Sequence, residues 1–151
     1  MKVLEVGDKA IEFEGVSETG QIISLDDFIG HKLILYFYPK DMTPGCTAQA
    51  CDLTENHDLL LKNNYKIVGV SADSKERHLK FIKKYSIPFP LIADEDHTIL
   101  NKYGVWGPKK FMGKTYDGIH RKTFIINEDG IIERIIEKVK TKDHTNQILN
   151  D

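Results

Sequence analysis

Two uninterrupted apolar runs, Lys32-Leu-Ile-Leu-Tyr-Phe-Tyr38 and Lys66-Ile-Val-Gly-Val-Ser71, constrain this chain more than any other feature. Neither alternates polar with apolar residues, so each reads as a strand covered on both faces. The stretch between them, Thr43 to Asn63, has no β-branched run and is rich in Ala, Gln, Leu and Lys, which predicts helix. Further strands are expected at Leu91–Ala93, Thr123–Ile126 and Ile131–Ile136, the last two joined by the turn Asn127-Glu-Asp-Gly130. Helices are expected from a cap at Asp73/Ser74 to Tyr85, from a cap at Asp96 to near Gly104, and over Lys142–Leu149. At the N-terminus, Ile11–Phe13 and Gln21–Ser24 form a predicted hairpin around Ser17-Glu18-Thr19-Gly20. This alternation gives an α/β fold, a three-layer sandwich with a central mixed sheet flanked by helices.

At 151 residues, the chain is expected to form one domain spanning 1–151. Twenty-one Lys+Arg against 23 Asp+Glu leave a net charge of -2, too little field to hold nucleic acid by counterion release. The longest apolar run has six residues, Leu33 to Tyr38, and Pro39 ends it, so no membrane span is expected. The N-terminus lacks the apolar core of a secretory signal. With only two cysteines and no export signal, a reducing, cytoplasmic compartment is expected.

Those cysteines lie in Pro39-Lys-Asp-Met-Thr43-Pro44-Gly45-Cys46-Thr-Ala-Gln49-Ala-Cys51. Thr43 suits the N-cap and Pro44 the first helical position, which places Cys46 in the first turn. Helix N-termini favour the thiolate. The effect is limited, because a thiol whose pKa falls from about 8.5 to about 6 gains roughly 30-fold in thiolate at pH 7 but loses about 13-fold in nucleophilicity. The net gain is about two- to threefold. Fast chemistry therefore needs donors aimed at the transition state: first-turn N–H groups, the Thr43 hydroxyl and a cation from elsewhere.

On a regular helix, residues 46 and 51 are about 140° apart, with roughly 8.6 Å between Cα atoms. A disulfide needs under about 7 Å. The two thiols can bond only if the start of the helix unwinds, and Gly45 suits a turn of low local stability. Other readings of the pair are two small buried side chains, or part of a zinc site completed by His57 or His120. Two alternatives from other classes are a general dithiol oxidoreductase, which would expect Cys-x-x-Cys, and a non-catalytic binding module. The six histidines show no ligand spacing, and most of them are expected at the surface. Gly104–Gly118 carries four glycines and Pro108 without periodicity, so it is expected to be a long loop.

Pro39-x-x-x-Thr43-x-x-Cys46 resembles the active-site motif of peroxiredoxins, and the spacing to Cys51 resembles their bacterioferritin comigratory protein (PrxQ) subfamily. FYPKDMTPGCTAQAC, LIADEDHTILNKYGVWG and FMGKTYDGIHRKTFIIN extend the similarity over nearly the whole chain. The resemblance implies a thioredoxin-like fold with an N-terminal β-hairpin extension. It implies a thiol peroxidase for hydrogen peroxide or alkyl hydroperoxides, with Cys46 peroxidatic, Cys51 resolving and an intramolecular disulfide between them. Thr43 would position the peroxide and Arg121 would set its cation over the thiolate. Pro39, Gly45 and Gln49 would shape the pocket, Gln49 standing where many peroxiredoxins have Glu. Thioredoxin or a similar dithiol would be the reductant, no metal or cofactor would be needed, and the chain would be a monomer.

Overall fold

The computed structural model describes residues 3–150; Met1, Lys2 and Asp151 of the expected 1–151 domain lie outside the described residues. The first apolar run forms β3 (Lys32–Phe37) and the second β4 (Tyr65–Ser71), following a short N-terminal pair, β1 (Glu14–Val16) and β2 (Ile22–Ser24). β3 and β4 run parallel in register from Lys32 opposite Tyr65 to Phe37 opposite Val70. β5 (Leu91–Ala93) adds to β4 in parallel, while β8 (Lys122–Ile126) and β9 (Ile132–Ile136) extend the other side antiparallel. The mixed sheet has the order β5-β4-β3-β8-β9, so β3 is its centre.

Alternate side chains of β3 enter opposite cores, which is why its sequence is apolar throughout. Leu33, Leu35 and Phe37 pack with Phe13, Ile99, Leu100 and Tyr103, whereas Ile34, Tyr36 and Tyr38 pack with Cys46, Ala50, Leu53, Phe81 and Ile148. The second core lies beneath α1 (Pro44–Glu55), α2 (His57–Lys62), α3 (Lys75–Tyr85) and α5 (His144–Asn150); α4 (Thr98–Lys102) covers the first. The three layers are those expected.

Several local expectations need correction. The helix predicted over Thr43–Asn63 is two helices, divided at Asn56 (φ -105°, ψ 13°). The Asn56 side-chain amide donates to the Asp52 carbonyl at 2.8 Å, competing for an acceptor of the helical ladder. The first N-terminal strand is Glu14–Val16 rather than Ile11–Phe13. The tight turn, closed by Ser17 N–H to Gln21 O at 2.8 Å, pairs the residues nearest to it, and Phe13 is left as a core side chain outside the ladder.

Gly104–Gly118 is not an irregular loop. It contains the hairpin β6 (Trp106–Phe111) and β7 (Lys114–Ile119). Met112 (φ 51°) and Gly113 (φ 80°) form its two-residue turn, with consecutive left-handed residues of the kind tight hairpins use. Pro108 is tolerated because this ribbon is two-stranded and every strand is an edge. The expected Asp96 cap of α4 is shared: Asp96 accepts from Thr98 N–H at 3.1 Å, and buried Asp94 accepts from Ile99 and Leu100 N–H at 3.1 and 2.8 Å. Two of the histidines, His78 and His144, depart from the surface placement expected of most of them and are fully buried. No helix among the described residues is long and apolar enough to cross a membrane.

Candidate active site

β3 ends at the mouth of the sheet, and the chain turns through Pro39–Met42 into α1. Thr43 occupies the N-cap position and Pro44 follows it as the first helical residue, with Thr47 N–H donating to Thr43 O at 2.9 Å. The Thr43 side chain does not cap the helix as expected. Its hydroxyl donates instead to the Lys40 carbonyl at 2.8 Å, which leaves only acceptor lone pairs on Oγ1.

Cys46 sits in the first turn, with 2% of its surface exposed, against Tyr36, Ala50 and the rest of the second core. Its sulfur is not enclosed by hydrocarbon alone. Phe37 of β3 pairs with Lys122 of β8, so the residue just ahead of β8 arrives beside the start of α1. That residue is Arg121, whose Nη2 donates to Cys46 Sγ at 3.2 Å and whose Nη1 donates to Gln49 Oε1 at 2.6 Å. The fork of one guanidinium thus spans the cysteine and the residue three positions on, an arrangement the flexible ammonium of lysine would not reproduce. Among the described residues, no carboxylate pairs with Arg121, so its charge faces a neutral amide and the sulfur.

Gly45 makes this approach possible. A Cβ there would stand 3.3 Å from Arg121 Nη2, close enough to push the guanidinium by a few tenths of an ångström. Gln49 is fully buried and its Nε2 has no partner, as has the hydroxyl of Tyr36. Burial pushes the Tyr36 hydroxyl well above the ordinary tyrosine range, helped by the charges of Asp41 and Cys46, so it stays protonated. Pro39 is half-buried and lines a groove with Lys40, Trp106 and Tyr116 of the β6–β7 hairpin.

Cys51 lies in the same helix, partly buried, and both thiols are free. Burial, together with Glu55 one turn on, pushes the Cys51 thiol up from its ordinary value. The regular helix keeps the two cysteines beyond bonding reach.

Three participants around this site had no functional signal in the sequence. Asp41 is buried and accepts from Tyr38 Oη at 2.6 Å, while its Oδ2 faces His78 Nδ1 at 2.6 Å. His78 Nε2 donates to Ile92 O at 3.0 Å, so that nitrogen carries a proton. Asp73 was expected to share the cap of α3 with Ser74; only Ser74 accepts from Arg77 N–H (3.2 Å), and Asp73 turns toward the active-site loop. Among the described residues, Asp41, Asp73 and His78 are close enough to be considered a metal cluster, yet it contains neither cysteine and its carboxylate oxygens already face protein donors.

Residues 6–135 match the AhpC/TSA family model. The chain is 46% identical to Peroxiredoxin Bcp of Escherichia coli (strain K12) over 150 residues, 99% of this chain and 96% of that one. The chain belongs to the AhpC/TSA family. It is a peroxiredoxin, a thiol peroxidase. A cysteine-to-serine mutant of Xylella fastidiosa PrxQ superposes with a TM-score of 0.92 over 99% of this chain and 96% of that one, at 28% identity. The Xanthomonas campestris bacterioferritin comigratory protein, in a structure titled for its alkyl peroxide reduction activity, gives 0.85 over 91% and 87% at 34% identity. These neighbours share the thioredoxin-like sandwich expected from the sequence. In this peroxiredoxin the Arg121–Cys46 contact joins residues 75 positions apart.

Proposed function

We propose that this peroxiredoxin reduces hydrogen peroxide and small alkyl hydroperoxides at Cys46, with Cys51 as the resolving thiol. The observation that supports this most is the 3.2 Å contact from Arg121 Nη2 to Cys46 Sγ at the first turn of α1. The Cys46 thiolate attacks one peroxide oxygen and the O–O bond breaks. The other oxygen leaves as water or alcohol after taking a proton, and the sulfur, oxidised by two electrons, becomes a sulfenic acid. Arg121 and the first-turn N–H groups meet the negative charge as it spreads over the two oxygens. Thr43 Oγ1, its own proton donated to Lys40, accepts a hydrogen bond from the hydroperoxide. Pro39, Gly45 and Gln49 shape the pocket around these groups.

Cys51 then condenses with the sulfenic acid, releasing water and forming a Cys46–Cys51 disulfide. This step requires local unwinding of α1, since the helical geometry holds the sulfurs apart. A dithiol protein, thioredoxin or one like it, restores both thiols by exchange and takes up the disulfide. The reaction needs no metal or other cofactor. The whole of 1–151 acts as one domain, as a monomer in the cytoplasm. Peroxide-dependent NADPH consumption through thioredoxin and its reductase tests the scheme, with hydrogen peroxide and an alkyl hydroperoxide compared. Turnover of both is expected; oxidation of Cys46 without any NADPH consumption would reject the assigned reductant.

A further inference from the structure

The Thr43 hydroxyl owes its orientation to one peptide unit, Lys40–Asp41. The carbonyl of that unit accepts a hydrogen bond from the hydroxyl at 2.8 Å, and its N–H, on the opposite edge of the same rigid plane, donates to Asp73 Oδ2 at 2.8 Å. We propose that Asp73 is a positioning residue for the peroxide step, acting on Thr43 through this peptide. The proposal rests on the reading of Thr43 as the hydrogen-bond partner of the peroxide.

Asp73 is itself firmly held. Its Oδ2 also accepts from Ser71 Oγ at 2.7 Å, its Oδ1 accepts from Arg77 Nε at 3.0 Å, and its side chain is 6% exposed. The next carbonyl along the chain, that of Asp41, accepts from Arg77 Nη2 at 3.3 Å. The Asp41 side chain is locked between Tyr38 and His78. Both edges of the segment are therefore fixed before α1 begins.

Orientation matters because a threonine hydroxyl can rotate. With its proton on Lys40 O it offers a hydroperoxide an acceptor only; turned the other way it would offer a competing donor. A carboxylate on the amide N–H draws that hydrogen bond short and polarises the peptide, making its carbonyl oxygen a stronger acceptor. Asparagine at 73 has one acceptor oxygen where three donors converge (Ser71 Oγ, Asp41 N–H and Arg77 Nε), and its amide N–H₂ would oppose one of them.

Stopped-flow oxidation of Cys46 by hydrogen peroxide tests the link in Asp73→Asn, Thr43→Val and the double variant. Asp73→Asn is expected to slow the second-order step about tenfold when Thr43 is present. It should change the rate less than about twofold in the Thr43→Val background. Thr43→Ser, which keeps the hydroxyl, should remain sensitive to Asp73→Asn. Should Asp73→Asn not fold, Arg77→Met removes the Oδ1 partner from a half-exposed position and should show the same dependence on Thr43 at about threefold.

Equal slowing by Asp73→Asn with and without the Thr43 hydroxyl would overturn the proposal, as would no slowing in the wild-type background. A wild-type rate for Thr43→Val is a separate failure. It rejects the role of Thr43 first, and the role of Asp73 with it.

Discussion

The backbone N–H of Thr145 donates to the Asp52 carboxylate at 2.7 Å, tying the first turn of α5 to the residue next to Cys51. Thr145 Oγ1 adds a longer bond to the Asp52 carbonyl at 3.4 Å. The half of α1 that carries Cys51, the proposed resolving thiol, is therefore held down by the last helix. Asp52→Ala should lower stability by about 1 kcal/mol, the usual value of a helix cap. It should also speed formation of the Cys46–Cys51 disulfide severalfold, because the same bond opposes unwinding. Acid-quench sampling after a peroxide pulse measures the second effect; an unchanged rate would show that the tie does not limit opening.

Arg121 and Gln49 supply a second prediction. Arg121→Ala should slow the peroxide step by about 2.7–4 kcal/mol, the range for removing one preorganised donor to developing negative charge. Gln49→Leu should have a smaller effect of the same sign, since Nη1 loses its 2.6 Å acceptor and the fork is free to turn from the sulfur. Rapid-mixing kinetics over a range of peroxide concentrations checks both. A wild-type rate in Arg121→Ala would remove the cation from the mechanism.

His144 gives the pH dependence. Its Nε2 lies 2.9 Å from Thr123 Oγ1 and its Nδ1 2.9 Å from Gln147 Oε1. Gln147 Oε1 also accepts from Lys140 N–H while its Nε2 donates to Lys138 O, so Nδ1 must be the protonated nitrogen of a neutral ring. Burial lowers the affinity of this ring for a second proton, opposed by its bond to Gln147 and by Asp52, and reinforced by Arg121 and Arg134. The unfolded chain takes up that proton near the ordinary value of 6.5, the folded chain only at lower pH. Stability from this group is thus intact above pH 6.5, lost as pH falls below it and level again beneath the folded value. Melting temperatures of wild type and His144→Gln across that window should converge as the pH falls. Parallel curves would contradict the assignment.

Much of this arrangement was legible in the residue order, for physical reasons that also mark its limits. Strands covered on both faces announce themselves by continuous apolar runs, so β3 and β4 were readable. The placing of Cys46 in a first turn followed from Thr43-Pro44. The β6–β7 hairpin was hidden because Met112, rather than Gly or Asn, takes the first left-handed position of its turn. The division at Asn56 depends on a side chain competing for a helix carbonyl, which periodicity does not register. Arg121 came from the family resemblance; no local pattern could bring it across 75 residues to a sulfur. Asp73 and His78 looked like a cap residue and a surface ring, because their partners are set by how β3, β4 and α3 meet.

A Cys51→Ser chain, given one equivalent of hydrogen peroxide and then a sulfenic-acid trap, tests the central claim most directly. One oxygen atom should be taken up per chain, with the trapped adduct located by peptide mass spectrometry on Cys46. Peroxide turnover that survives Cys46→Ser, or an adduct found elsewhere in the chain, would contradict it.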